Sequence, residues 1–225
     1  MEDHTRAEQD YLKTIFDEID KFGEATTSSL ASRLSVAPAS VTGMLKKLAA
    51  QDPPLIVYHK HQGATLTPEG EAVALEVIRH HRLIELFLMK VLGFSWDAVH
   101  EEADRLEHVL SDSLEQSIAA LLDNPSHDPH GAPIPSETLV MENIHLAALS
   151  SLRSGQKAII QSVPDENPEL LRYLAQHSIT PNSEITVLDF SPFDRNLTLQ
   201  TTAQAQPVIL GVSITQDIWV EIITP

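Results

Sequence analysis

The sequence predicts a mainly helical α+β chain with an N-terminal winged helix-turn-helix, a helical middle region and a C-terminal SH3-like β-barrel. Before residue 70, two short helical patterns separated by a tight break are followed by a hairpin pattern. Apolar residues then recur at helical spacing as far as about residue 122. From Leu152 onward the pattern changes to several short β-like runs, which are typical of a small barrel.

The winged helix-turn-helix is predicted from three helices and a hairpin. The helices are expected over residues 5–22, 27–34 and 38–51. Gly23 suits the end of the first helix, Thr26 or Thr27 the cap of the second, and Pro38 the first turn of the third. The runs IVYH and ATLT, joined by the turn KHQG, predict the two-stranded wing.

The remaining elements follow from the same periodicities. Further helices are expected from LTPEG to about Leu92, over about 96–109, and through SDSLEQSIAALL. Residues 137–151 read as a connecting segment, weakly helical at first. The strands are predicted in KAIIQSV, EITVLDF, LTLQT, PVILG and IWVEII, interrupted by one helix, NPELLRYLAQ. The predicted domains are 1–70, 71–140 and 152–225, with a linker at 141–151.

The charge distribution separates the predicted parts. The net charge is −17, and residues 71–150 contribute most of it, with 4 basic and 14 acidic side chains. By contrast, residues 26–67 hold four basic side chains against Asp52 alone, a local charge of +3. This distribution argues against loose nucleic-acid binding but allows a small directed contact. The absence of cysteine excludes thiolate metal sites, and with no apolar run of membrane-spanning length it favours a cytoplasmic location.

The stretch WDAVHEEADRLEHVLS carries the clearest chemical signal. On the predicted helix its donor side chains, at offsets of 0, 4, 7 and 8, share one face: His100, Asp104, Glu107 and His108. The preceding helix adds the i,i+4 pair His81 and Glu85, whereas His80 points about 100° away and is expected at the surface or an interface. Carboxylates gathered on one stripe repel each other unless a cation sits among them, so a divalent metal is favoured over a solvated acidic face.

The third helix presents a polar outer side opposite its apolar stripe. We expect this side to face DNA, since it lies in a basic window beside a wing. Lys46 and Lys47 suit phosphate contacts, and Ser40 and Thr42 suit base edges or thymine methyls. Ala39 and Gly43 allow close approach. Solvated polar residues on an ordinary helix are the alternative.

The sequence resembles the diphtheria-toxin-repressor family of iron- and manganese-dependent transcriptional regulators. The resemblance covers nearly the whole chain and rests on motifs that match in order and spacing: DYLKTIF, PASVTGMLKKL, LTPEG, RHHRLIELFL, VHEEADRLEHVLS and DPHGAPIP. It implies a homodimer that binds double-stranded operator DNA, a helical dimerisation and metal domain, and two metal sites in each subunit. No membrane or small-molecule substrate is expected as a partner.

The resemblance also implies which residues bind metal. The principal site of the family matches Asp10, Asp104, Glu107 and His108, and the ancillary site matches His81, Glu85 and His100. Asp128 and His130 match positions that bind metal in some manganese-responsive members. The barrel residues that complete the ancillary site in some members match Asn167 and Leu170 here, so Asp165, or alternatively Glu166, is expected to substitute.

The donor chemistry bears on the metal. Iron-responsive members typically have methionine and cysteine where this chain has Asp10 and Asp104, and manganese-responsive members have aspartate at the first position. An oxygen-rich set with one imidazole suits Mn(II) first and Fe(II) second. The expected function is therefore a Mn(II)-activated repressor of metal-homeostasis genes, with an Fe(II)-responsive repressor as the alternative. A metal-dependent hydrolase and a metal-buffering protein are the alternatives of other classes.

Overall fold

The computed structural model describes residues 4–59, 63–141 and 146–224, and it packs as two units. The first unit contains the described residues within Met1–His81, together with Glu107–Leu110 and Pro135–Val140. The second contains Arg82–Leu106, Ser111–Ile134 and the described residues within Met141–Pro225. The wing turn at 60–62, including Lys60, and positions 142–145 of the predicted linker lie outside the described residues.

The first unit begins with the predicted winged helix-turn-helix. Its helices are α1 (Arg6–Phe22), α2 (Thr27–Arg33) and α3 (Pro38–Ala49), and its antiparallel strands are β1 (Ile56–His59) and β2 (Gly63–Leu66). Thr5 and Glu8 form a capping box at the start of α1, and Gly23 ends that helix at φ +78°. Thr26 caps α2, and Pro38 occupies the first turn of α3, as predicted.

The core of this unit fixes the orientation of α3. Leu12 and Ile15 of α1 are fully buried together with Val41, Leu45 and Leu48 of α3. Each fully buried side chain of this size contributes about 1.5–3 kcal/mol. Because this stripe faces inward, the opposite side of α3 remains exposed at Ala39, Ser40, Gly43, Lys46 and Lys47.

Helix α4 (Pro68–Lys90) follows the wing, and its first part, as far as His81, belongs to the first unit. The second unit continues with α5 (Val99–Leu106) and α6 (Asp112–Leu121). Gly93, at φ +73°, lies between α4 and α5 in a conformation that a helix cannot continue. Across the described residues, no helix combines the length and apolar character that a membrane span requires.

The C-terminal part of the second unit is a six-stranded antiparallel sheet. Its strands are β3 (Ala147–Ala148), β4 (Lys157–Ser162), β5 (Glu184–Phe190), β6 (Leu197–Thr201), β7 (Val208–Leu210) and β8 (Trp219–Thr224), in the order β3-β8-β4-β5-β6-β7. The helices α7 (Pro168–Gln176) and α8 (Val212–Thr215) and a 3₁₀ turn (Leu149–Ser151) complete it. Apolar side chains from every strand except β3 meet in one fully buried core, as the alternating pattern predicts.

Four sequence predictions differ from the structure. The helix predicted over 96–109 is shorter, because α5 ends at Leu106 and the Glu107 carbonyl accepts a hydrogen bond from His80 Nδ1 (3.0 Å). His80 is therefore buried rather than exposed. Residues 137–141 are not helical, since Leu139 has φ +56°. The predicted linker contains β3, whose two residues pair with β8.

Candidate metal centre and nucleic-acid surface

Three donor side chains converge in the first unit. His108 Nε2 lies 2.8 Å from Asp10 Oδ1 and 3.2 Å from Glu107 Oε1. Asp10 comes from the second turn of α1, whereas Glu107 and His108 follow the end of α5. The contact thus joins residues almost 100 positions apart. The sequence predicted that these three residues share a site, but it assigned Glu107 and His108 to a helix face rather than to a turn.

The ring of His108 is oriented by a neighbour on α1. Its Nδ1 donates to Gln9 Oε1 at 2.7 Å, which turns the opposite ring nitrogen, Nε2, towards the two carboxylates. This Nε2 is buried and forms no hydrogen bond of acceptable geometry with any described residue. Two carboxylate oxygens and an imidazole nitrogen gathered within 3.2 Å are the oxygen and nitrogen donors that bind divalent cations. The three residues therefore fit a metal ion.

The second oxygen of Glu107 has different partners. Glu107 Oε2 lies 2.8 Å from Lys13 Nζ and 2.5 Å from His81 Nδ1. The carboxylate is almost fully buried, so these contacts and the His80 bond to its main chain hold it in one orientation. His81, which the resemblance assigned to the ancillary site, thus contacts a residue of the principal site through Nδ1.

A second group of donors lies in the second unit. Glu85, Asp128, His130 and Asp165 each offer one ligand atom within 4.8 Å of the others. His130 Nδ1 is 3.6 Å from Glu85 Oε2. His100 Nδ1 is 3.2 Å from Glu85 Oε1 and 3.7 Å from Asp165 Oδ2. Five residues named from the sequence are therefore brought together, from α4, α5, the DPHG loop and the loop after β4.

Main-chain groups hold the DPHG loop in place. His130 Nε2 donates to the Trp96 carbonyl at 2.8 Å, which turns the opposite ring nitrogen, Nδ1, towards Glu85. Asp128 Oδ1 accepts from the main-chain N–H groups of His130 (2.8 Å) and Ala132 (3.0 Å). Asp128 Oδ2 and His130 Nδ1 are buried and have no hydrogen-bond partner among the described residues. Such unsatisfied atoms are expected where a metal binds.

Burial shifts the protonation of this second group. Burial and the negative charge of Glu85 raise the pKa of Asp128 to about 7, although Arg82 and His130 oppose the shift. Burial lowers the pKa of His130, but the carboxylate of Glu85, 3.6 Å away, together with the charges of Asp128 and Asp165, outweighs it and raises the pKa to about 9. Without metal, the group therefore retains protons that a divalent cation must displace.

Asp104 is the most exposed of the four residues predicted for the principal site. Its side chain is 47% exposed, and its Oδ2 lies 3.7 Å from His100 Nε2, one helical turn away on α5. Sequence reasoning missed the groups that orient the ligands: Gln9, Lys13 and the Trp96 carbonyl. A neutral amide, a lysine and a main-chain oxygen carry no ligand signature, so only their contacts reveal them.

The exposed side of α3 borders a cavity that is lined mainly by hydroxyl-bearing residues. The cavity has a volume of about 550 Å³ and is lined by hydroxyl groups and one lysine: Thr26, Thr27, Ser28, Thr42, Lys46, Tyr58 and Gly63. Hydroxyls and a lysine are common phosphate-binding groups. The Thr42 hydroxyl donates its proton to the Pro38 carbonyl within α3, at 3.1 Å.

Lys47 has an acidic partner on α1. Its Nζ lies 3.2 Å from Oε1 of Glu8 on α1. Burial opposes ionisation of Glu8, but hydrogen bonds from Thr5 and the Lys47 ammonium lower its pKa to about 2. The carboxylate is therefore charged at neutral pH and balances part of the Lys47 charge.

A winged helix-turn-helix in the same chain as two buried histidine–carboxylate groups defines a metal-dependent DNA-binding regulator. Family models for the iron dependent repressor match at residues 3–64 (N-terminal DNA binding domain) and 67–136 (metal binding and dimerisation domain), and a FeoA domain model matches at 147–222. The iron-dependent repressor IdeR of Mycobacterium leprae is 30% identical over 83% of this chain and 86% of its own length.

Solved structures give the same result. A manganese-dependent transcriptional repressor in complex with manganese is 34% identical, with a TM-score of 0.89 over 96% of this chain and 100% of that one. The manganese regulator SloR is 29% identical, with a TM-score of 0.79 over 96% and 98%. The chain belongs to the diphtheria-toxin-repressor family of metal-dependent transcriptional repressors. Since this family consists of DNA-binding repressors, the hydrolase alternative is set aside.

Proposed function

We propose that this protein is a repressor that Mn(II) activates for binding to operator DNA as a homodimer in the cytoplasm. The observation that carries the proposal is the donor set around His108. Asp10 and Glu107 supply hard oxygen ligands within 3.2 Å of one imidazole nitrogen, and the chain contains no cysteine. Such a set suits Mn(II) or Fe(II), whereas softer ions favour sulfur.

The proposed principal site consists of Asp10, Asp104, Glu107 and His108. Asp104 is included because its sequence position matches the family motif, three residues before Glu107. The proposed second site uses Glu85, His100, Asp128, His130 and Asp165, with His81 assigned to it by the family match. Metal at the principal site would hold the first turns of α1 against Glu107 and His108, because one ion would bind Asp10 and both of these residues.

The proposed DNA surface is the exposed side of α3 and its adjoining cavity. We expect Lys46 to hold a phosphate, assisted by hydroxyls such as those of Ser28 and Tyr58, because this group is polar, cationic and open beside the wing. Lys47 would contribute less, since Glu8 balances part of its charge. Ser40 and Thr42, with Ala39 and Gly43 allowing close approach, would meet the base edges.

The homodimer is supported by exposed apolar side chains in the stretch that matches the metal binding and dimerisation model. The second unit exposes Val91, Leu92, Phe94, Leu114 and Leu121, each by at least 41%. Large apolar side chains clustered on one stretch of sequence indicate a protein interface. In a dimer, the α3 helices of the two subunits could lie one DNA turn apart and so enter successive major grooves.

The decisive experiment measures DNA binding and metal binding together. Fluorescence anisotropy with a duplex from the promoter of the protein's own gene should show tight binding in Mn(II) and weak binding in EDTA. The same titration with anaerobic Fe(II) tests the alternative metal. Equal affinity in EDTA and in both metals would refute metal activation, and tighter binding in Fe(II) at equal free metal would favour the iron-responsive alternative.

A further inference from the structure

Three consecutive side chains of α1 contact two different parts of the first unit. Asp10 Oδ1 lies 2.8 Å from the metal-site nitrogen His108 Nε2. Gln9 Oε1 accepts from the opposite nitrogen of the same ring at 2.7 Å. Glu8 contacts Lys47 of α3 and Gln51, which lies two residues beyond the end of α3. A shift of this turn of α1 would therefore change the contacts both at the metal site and at α3, the helix proposed to contact DNA.

Glu8 is built into the unit more firmly than a surface carboxylate. It is only 4% exposed, and both of its oxygens are used. Oε2 accepts from the main-chain N–H (2.9 Å) and the hydroxyl (2.7 Å) of Thr5, which fixes it to the start of α1. Oε1 accepts from Gln51 Nε2 at 2.6 Å and lies 3.2 Å from Lys47 Nζ. One buried carboxylate thus ties the start of α1 to the end of α3.

We propose that Glu8 is the positioning residue that transmits the metal-bound state of α1 to the DNA-reading helix α3. Asp10 follows Glu8 by two positions on the same helix, so a metal that holds Asp10 also holds the turn that carries Glu8. Through Lys47 and Gln51, Glu8 then fixes the C-terminal end of α3. Coupling of this kind needs one element whose position both ligands favour, and this turn of α1 provides it.

The inference rests on the proposed metal-activated DNA binding, and the two can fail separately. If wild-type protein binds operator equally in Mn(II) and in EDTA, the proposed function fails. If wild-type protein responds to Mn(II) and the Glu8 variant responds equally, only the present inference fails.

The main test uses Glu8→Gln, which keeps the size of the side chain and removes its charge. Isothermal titration with Mn(II) in the absence of DNA should give an affinity within about twofold of wild type, because no metal ligand changes. The gain in operator affinity between EDTA and saturating Mn(II) should shrink by at least fivefold. By linkage, the gain in Mn(II) affinity caused by operator should shrink by the same factor.

Glu18→Gln is the matched control. Glu18 is also buried on α1 and also faces a cation of another helix, with Oε1 3.7 Å from Arg33 Nη1 on α2. It lies ten residues from Glu8, about 15 Å along the helix. Its metal-induced gain should remain that of wild type. An equal loss in both variants would overturn the inference, because general packing of α1 would then explain it.

A second variant tests the same link from the other side. Gln51→Leu removes the 2.6 Å hydrogen bond while leaving α1 and its cap unchanged. It should reduce the metal-induced gain in operator affinity, and combined with Glu8→Gln it should reduce the gain less than additively. If Glu8→Gln weakens Mn(II) binding in the absence of DNA as strongly as it weakens the gain, Glu8 acts on the metal site itself and the inference is wrong.

Discussion

Replacing Gly131 with alanine should remove metal from the second site while leaving the first site functional. Gly131 adopts φ +90°, and a Cβ built there would lie 1.8 Å from the Gln161 carbonyl oxygen of β4. Contacts of this type essentially never fall below 3.0 Å, so the loop or the strand must move by about 1.2 Å. Metal–ligand distances tolerate only about 0.2 Å, so Asp128 and His130 would leave their positions.

The expected magnitude is large and measurable. Loss of supporting contacts around a metal typically costs 10–100-fold in affinity, and here two ligands move together. Titration with Mn(II) should therefore fall from two ions per chain to one at micromolar metal, with circular dichroism confirming the fold. Gly155→Ala is the control, because Gly155 has φ +91° in the same unit but nothing within 4 Å of its added Cβ. If Gly131→Ala still binds two Mn(II) ions per chain with the affinities of the wild-type protein, the assignment of the DPHG loop to a metal site is refuted.

The other predictions concern the first site, metal choice, DNA and pH. Asp104→Ala should weaken Mn(II)-dependent operator binding at least tenfold, about 1.4 kcal/mol, in anisotropy titrations, and unchanged affinity would exclude Asp104 from the activating site. Asp10→Met with Asp104→Cys should raise the response to Co(II) or Zn(II) relative to Mn(II), and an unchanged metal order would locate selectivity elsewhere. Lys46→Ala should reduce the slope of log K against log salt by about 0.9 on operator and scrambled duplexes, whereas a wild-type slope would remove it from the phosphate interface. Metal affinity at the second site should rise with pH by up to about tenfold per pH unit between pH 7 and 9, because metal must displace the proton of His130, whose pKa is about 9. Calorimetric metal affinities that do not change with pH would contradict this prediction.

The same protonation shifts set the stability of the metal-free protein. Asp128 and His130 both bind protons more tightly in the folded state than in the unfolded chain. The stabilisation from His130 is present below pH 6.5 and is lost as pH rises through about 9. Ionising Asp128 destabilises the fold as pH rises from 3.8 through about 7. The melting temperature in EDTA should therefore fall across this range, and added Mn(II) should stabilise more at the higher pH.

The sequence predicted the parts of the fold that local chemistry decides. Capping at Thr26, the glycine stop at Gly23 and the proline at Pro38 placed the helices of the DNA-binding motif correctly. Five strands of the sheet followed from alternating burial. The end of α5 was not predicted this way. The Glu107 carbonyl that follows it bonds to His80, 27 positions earlier in the sequence, and such a long-range contact leaves no periodic signal.

The candidate sites also contain residues that the sequence suggested and contacts that it could not suggest. Charged donors at helical spacing made Glu85 and His100 candidate ligands without any structure, because like charges gathered on one helix face are unfavourable unless a cation binds there. The orientation of His130 could not be foreseen, since it depends on the carbonyl of Trp96, and any residue type supplies a carbonyl. The link from Glu8 to Lys47 joins residues 39 positions apart and carries no periodic signal.

The donor groups described for both sites contain only oxygen and nitrogen, and the chain has no cysteine. Thiolate ligands are oxidised to sulfenic acid, which either condenses with a second thiol to a disulfide or is oxidised further to sulfinic acid, and these forms release a metal irrespective of its concentration. Carboxylates and imidazoles lack this chemistry under mild oxidants. Peroxide at concentrations that inactivate thiol sensors should therefore leave the Mn(II) response intact, so that occupancy reports free metal and protons rather than the redox state of the ligands.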